Sequence, residues 1–319
     1  MFEPTKEIDV HMGTDGVNMQ CVACHKTEQH NIAGKLYSLS SMNRNRAYCE
    51  DCHTSTPHAD DILNEHNLKV ACQTCHIPTY AKANSTKMYW DWSTAGKLKN
   101  GEPYHEEDSL GNHTYLSIKG SFEWDRNVKP DYVWFNGTAS HYLKGDIIND
   151  TTKPLILNKL HGSYADDESK IYPTKIHVAK QPYDPINKML IQPKLFSEKK
   201  GEGAFWKDFD WYKAAEVGMK ESGLPFSGKI SFLETEMYWP VNHMVSSKEN
   251  ALSCNECHTR SENGRLSKLT DFYLPGRDYN AAVDTGAIIM LILSFLGIVT
   301  HSIVRFLSKR KNKGEVNNG

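Results

Sequence analysis

No cysteine of this chain stands outside a Cys-x-x-Cys-His pentapeptide, and none occurs between residues 76 and 253. A basic excess is also lacking. The formal net charge is -2 with 24% charged residues, and nothing basic clusters before the extreme C-terminus, which argues against a nucleic-acid surface. The opening residues, Met-Phe-Glu-Pro-Thr-Lys, carry neither a basic n-region nor an apolar h-region, so no signal peptide is visible. The acidic residues follow no calcium-loop spacing. Long hydrophobic runs are missing too, except for one near the end. What remains is a soluble globule of one or two domains with a single apolar tail.

The pentapeptides are the informative feature. They fall at Cys21/Cys24/His25, Cys49/Cys52/His53, Cys72/Cys75/His76 and Cys254/Cys257/His258, and they use all eight cysteines. Zinc ribbons also use Cys-x-x-Cys pairs, and eight cysteines can form a disulfide framework, but neither needs the fifth residue. With 15 histidines in 319 residues, one after every pair arises by accident with odds on the order of one in a hundred thousand. The pattern is the haem-attachment signature: two thiols form thioethers to one porphyrin, and the adjoining imidazole meets the iron. Four covalently bound haem c groups are therefore expected, with His25, His53, His76 and His258 as proximal ligands. Such attachment occurs outside the cytoplasm and places the haem-bearing part in a periplasmic compartment. An export signal is then expected in sequence preceding this chain.

Each iron needs a sixth ligand or an open position for chemistry. The histidines nearest the motifs, His11, His30, His66 and His243, are the leading distal candidates. His58, His105, His113, His141, His161 and His177 form a second tier. Met12 and Met244, beside His11 and His243, offer thioether ligation, which would raise a reduction potential.

Three motifs crowd into a segment at 1–80 and the fourth lies in 246–278. Between them, residues 81–245 hold all seven tryptophans, Trp90, Trp92, Trp124, Trp134, Trp206, Trp211 and Trp239. That insert is expected to pack on haems. Helices are predicted over Pro57–Asn67 and Asp208–Ser222, and the fold class is expected to be mainly α with extensive irregular structure, organised around the covalent haems. Residues 279–308 form a linker and a transmembrane helix, the apolar run extending from Thr285 to Phe306. The basic tail at 309–319 predicts a cytoplasmic C-terminus and a single pass of the inner membrane. His301, inside the run, has two readings: a haem b or quinone contact, or a residue among lipid head groups.

Several long segments resemble a known family: CQTCHIPTYAKANSTKMYWDWSTAGKLKNGEPYH, GNHTYLSIKGSFEW, VWFNGTASHY, QPYDPINKMLIQPKLFSEKKGEGAFWKDFDW and EMYWPVNHM. From about His11 to Gly276 the chain is similar to the C-terminal half of octahaem cytochromes of the tetrathionate reductase type. The resemblance implies that four further haems belong to an N-terminal four-haem half, fused or separate. In that family the active haem, with lysine in place of a distal histidine, lies in that N-terminal half, so no lysine here inherits the role. None of the four motifs shows the Cys-x-x-Cys-Lys mark of the related pentahaem nitrite reductases. Two functions follow as expectations. One is the electron-relay half of an oxidoreductase acting on tetrathionate, nitrite or hydroxylamine. The other is a stand-alone module between a membrane partner, quinol-oxidising or a b-type cytochrome, and soluble acceptors.

Overall fold

The computed structural model of the protein describes residues 3–34 and 42–316, with side chains through residue 308. The tail at 309–319 lies outside the described side chains. Two compact units emerge, Met1–Ser253 and Cys254–Gly319.

The first unit is built on a mixed sheet of ten strands, which corrects the expectation of a mainly α chain. Its strands are β1 Thr86–Asp91, β2 His105–Glu107, β3 His113–Leu116, β4 Gly120–Asp125, β5 Asp131–Phe135, β6 Ala139–His141, β7 Leu155–Leu160, β8 Lys170–Asp184, β9 Met189–Leu190 and β10 Ser231–Pro240. The order is β2-β3-β4-β1-β8-β10-β7-β6, with β5 and β9 also pairing with β8. Pairing is parallel between β1 and β8 and between β7 and β10, and antiparallel elsewhere in the sheet.

The physical reason lies in side-chain periodicity. In β10, Leu233 and Thr235 are buried while Glu234 between them is exposed, the period-2 alternation of a strand. β8 is rich in β-branched and aromatic residues, including Ile171, Tyr172, Thr174, Ile176 and Val178, which suit a pleated surface. Its two prolines give no N–H to the ladder, yet their carbonyls accept from Val241 and Ile191, both at about 3 Å. The tryptophan-rich insert is thus a sheet with its own hydrogen bonds.

The predicted helix at Asp208–Ser222 appears as α1, Trp211–Glu221, capped by the Asp210 carboxylate accepting from Lys213 N. It buries Ala215 and Met219 against Met189 and Ile191. Gly218 faces the 192–194 backbone so closely that a Cβ would lie 2.0 Å from Gln192 O and 2.4 Å from Lys194 N. Gly218→Ala is therefore expected to cost about 1–3 kcal/mol through overpacking, measured as a lowered denaturant midpoint by far-UV circular dichroism. An unchanged midpoint would mean the helix does not press on that segment. The predicted helix at Pro57–Asn67 is shorter, an α-turn at Asp61–Glu65 followed by a 3-10 turn at His66–Leu68.

The sheet also fixes a haem motif. Ala71 N donates to Ile171 O, Ile171 N donates to Lys69 O, and Thr74 Oγ1 donates to Ile171 O at 2.7 Å. Ala71 packs with Phe135, Ala139 and Tyr172. The first residues of β8 thereby carry the helical turn Cys72–His76.

In the second unit, Arg265 bonds Glu256 at 3.0 Å, and the Arg277 guanidinium reaches Leu266 O, Leu269 O, Phe272 O and the Asp278 carboxylate. Helix α2 spans Ala281–Val316. An 18-residue window of its segment Ala281–Ser308 reaches a mean hydropathy of 2.4 and none of that window is buried, so the segment is long and apolar enough to cross a membrane. His301 lies on this helix, exposed.

Candidate haem-binding site

Each pentapeptide folds as one helical turn. The amide of the histidine donates back to the first cysteine at 2.9 Å in three of them, His25 to Cys21, His53 to Cys49 and His258 to Cys254, while His76 closes the helix Cys72–His76. Residues three apart on a turn share a face, so both thiols of a pair point the same way and the imidazole follows beside them.

The first three motifs, with Cys21, Cys24, Cys49, Cys52, Cys72 and Cys75, belong to the first unit, whereas Cys254 and Cys257 belong to the second. Cys254 and Cys257 begin and end the turn Cys254–Cys257, Cys254 exposed and Cys257 half-buried. The Cys257 carbonyl accepts from Thr259 N at 3.0 Å, which turns the chain out of the helix directly after the motif.

The imidazoles are then oriented by a second bond. His25 Nδ1 lies 2.8 Å from Ala33 O and His258 Nδ1 lies 2.7 Å from Pro275 O, while the His76 carbonyl accepts from Ser246 N at 2.7 Å. A carbonyl accepts only from a protonated nitrogen, so Nδ1 of His25 and of His258 carries the proton and Nε2 offers a lone pair. Gly276, at φ +83°, packs on His258, where a Cβ would lie 3.0 Å from the His258 carbonyl.

Three of these histidines face a second histidine from a distant segment. Ring centres are 6.1 Å apart for His25 and His243, 6.0 Å for His53 and His11, and 6.2 Å for His76 and His58. Two imidazoles ligating one metal from opposite sides, each nitrogen about 2 Å from it, hold their ring centres about 6 Å apart. The residues present fit haem. Burial, with the facing His25, pushes the His243 imidazolium down, and burial beside His58 does the same to His76. Both directions favour the neutral, ligating ring.

The facing histidines are themselves braced. Asn64 Oδ1 accepts from His58 N at 3.0 Å and lies 3.3 Å from His58 Nδ1, while Asn64 Nδ2 donates to His58 O. Asp9, 2% exposed, holds two loops at once. One carboxylate oxygen accepts from the amides of His11 and Met12, and the other from those of Met244 and Val245. Lys82 Nζ adds bonds to Ile8 O, Met244 O and Ser246 Oγ.

The motifs of the first unit lie close together. The Cys49 and Cys72 thiols are near enough to influence each other's ionisation, as are those of Cys24 and Cys52.

Of the four distal candidates, His11 and His243 thus face motif histidines. His66 has Nδ1 anchored 2.7 Å from Ile62 O. His30 is exposed in the turn between Thr27–Glu28 and Asn31–Ile32, at φ +68°. His58 came from the second tier. Its signal is the short polar loop closed by Asn64, which has no periodicity to rank it. Within that tier, both ring nitrogens of His161 are engaged, by Thr138 Oγ1 and Ser140 Oγ. His105 and His113 flank Glu107 on outer strands. Met12 follows His11 with its amide on Asp9, and Met244 Sδ accepts from Lys82 N.

Comparison with known proteins agrees with this site. The family described as bacterial cytochrome c matches residues 87–261, and no curated protein matches the chain. The crystal structure of octaheme cytochrome c from Shewanella oneidensis is similar at 44% sequence identity and a TM-score of 0.75, over 84% of this chain. The chain spans 61% of that neighbour's length. With four attachment motifs and paired imidazoles already in place, the chain belongs to the bacterial cytochrome c family and is a multihaem c-type cytochrome.

Proposed function

We propose that this chain relays electrons through four covalent haems with closed, bis-histidine coordination. The observation that carries the reading is the set of three facing histidine pairs at 6.0–6.2 Å. Bound haem c supplies one-electron redox chemistry. The chain's own residues attach it through the cysteine pairs, from Cys21 and Cys24 to Cys254 and Cys257. They orient imidazoles through Ala33, Asn64 and Pro275, and exclude exchangeable ligands from three irons. The nearness of thiols from the second and third motifs supports haems held within tunnelling reach.

On this reading the chain is the relay portion of a larger octahaem oxidoreductase of the tetrathionate reductase type, with the substrate-binding haem in an N-terminal half. The span of 61% of an octahaem neighbour supports it. A second reading rests on α2. An apolar segment at Ala281–Ser308 suits an inner-membrane anchor with the haems in the periplasm, delivering electrons from a quinol-oxidising or b-type partner.

Intact mass and electron paramagnetic resonance of the purified chain test the proposal. Four haem additions and uniformly low-spin ferric signals are expected. A mass equal to the bare 36.2 kDa polypeptide, or a high-spin signal of one full haem, would sink it.

A further inference from the structure

The central sheet has two chemically different faces, and the register assigns side chains to them. Along β8, Lys175, His177 and Ala179 share one face. Ala179 pairs with Trp90 of β1, and Trp90 with Phe122 of β4. A register shift between Lys87 and Tyr89 turns Lys87, which pairs with Trp124, onto that same face. Its ammonium accordingly sits 3.8 Å from the Phe122 ring centre, 4.2 Å from Trp90 and 5.2 Å from Trp124.

Carboxylates are confined to the other face. Glu123 pairs with Tyr89, Glu236 with Val178 and Glu234 with Lys180. The charges felt by Lys87 are Lys119 and Lys175, and those felt by His177 are Lys175 and Lys87. Burial, reinforced by these neighbours, pushes Lys87 down to about 8 and His177 down to about 4, and burial alone lowers Lys175. Lys175 Nζ donates to Thr86 Oγ1 at 2.6 Å. The Lys87 ammonium and both His177 ring nitrogens have no hydrogen-bond acceptor or donor among the described residues.

Like charges gathered in a half-buried place without a counter-charge repel one another and lose hydration, so the arrangement is offset only when something negative enters. Recession of Lys87 among three rings favours a small ion over a bulky acidic surface. The geometry points to Lys87, Lys175 and His177 as a binding site for a small inorganic oxyanion of the phosphate or sulfate type. Lys87 and Lys175 supply charge and N–H donors, His177 supplies a directional N–H, and the rings form an apolar wall.

The test uses the holo-protein, acylated at its lysines at fixed pH and analysed by peptide mass, with inorganic phosphate compared against chloride at equal ionic strength. Phosphate is expected to protect Lys87 and Lys175 saturably, by about fivefold or more, while leaving exposed Lys229 unprotected. In Lys175→Gln the half-saturating phosphate concentration at Lys87 should rise about tenfold, and Lys175→Arg should restore it. Unchanged haem spectra in both variants verify the fold. Equal protection by chloride, or the same half-saturation in Lys175→Gln, overturns the assignment. Protection conferred by polyglutamate but not by phosphate overturns it in favour of an acidic protein surface.

Discussion

Asp9→Ala is expected to convert two haems, and only two, from low-spin to high-spin. The Asp9 carboxylate is the common acceptor for four backbone amides, those of His11, Met12, Met244 and Val245, at 2.8–3.2 Å. Those loops present His11 to His53 and His243 to His25. Alanine leaves four half-buried donors without their acceptor, each costing up to about 1 kcal/mol. That cost exceeds what one iron–imidazole orientation tolerates, so both loops relax and both distal rings withdraw. The remaining bond between Val10 N and Val245 O, at 2.9 Å, keeps the loops adjacent but not aimed. Asp9→Asn retains one acceptor oxygen and should give a partial effect. Ferric electron paramagnetic resonance counts the converted haems. Conversion of only one, or of none, would show that the carboxylate does not act as a shared clamp.

His58→Ala is expected to open a single haem, that of Cys72 and Cys75. His58 and His76 are nearly parallel, with 10° between ring planes, so His58 is the imidazole that faces the third motif. Loss of the imidazole leaves an exchangeable position. One haem becomes high-spin, and added free imidazole restores the low-spin band. Asn64→Ala, which removes the brace on the His58 ring, should weaken that ligand without deleting it, giving a pH- and temperature-sensitive mixture. His30→Ala, by contrast, should leave every signal unchanged, because it sits in an exposed turn away from the paired imidazoles. If His30→Ala opened a haem and His58→Ala did not, the ligand pairing would be refuted.

The cofactor type was legible because its motif is local. Two thiols and an imidazole within five residues form one helical turn whatever surrounds them, and four repeats make chance untenable. Cys254 and Cys257 show this best, since their turn forms in a different unit from the other three motifs and is built the same way. The apolar run at Thr285–Phe306 was legible for the same reason, since length and hydropathy are sums over neighbours. His11 and His243 could be ranked by nearness to a motif, but proximity in sequence gave His58 no advantage over His66 or His30. The fold class was misread in 81–245. Haem edges were expected to replace much of the hydrogen-bonded scaffold, whereas the alternation Leu233, Glu234, Thr235 and the β-branched run of β8 already carried a strand period.

Sequence alone therefore determined the cofactor type, the number of Cys-x-x-Cys-His motifs and the apolar tail. Tertiary structure alone decided which imidazole faces which, that Asp9 serves two loops more than 230 residues apart, and that a one-residue bulge puts Lys87 beside Lys175 and His177. The division has one cause. Covalent attachment needs only neighbours along the chain, whereas axial pairing and charge clustering depend on long-range register, which one inserted residue reverses from face to face.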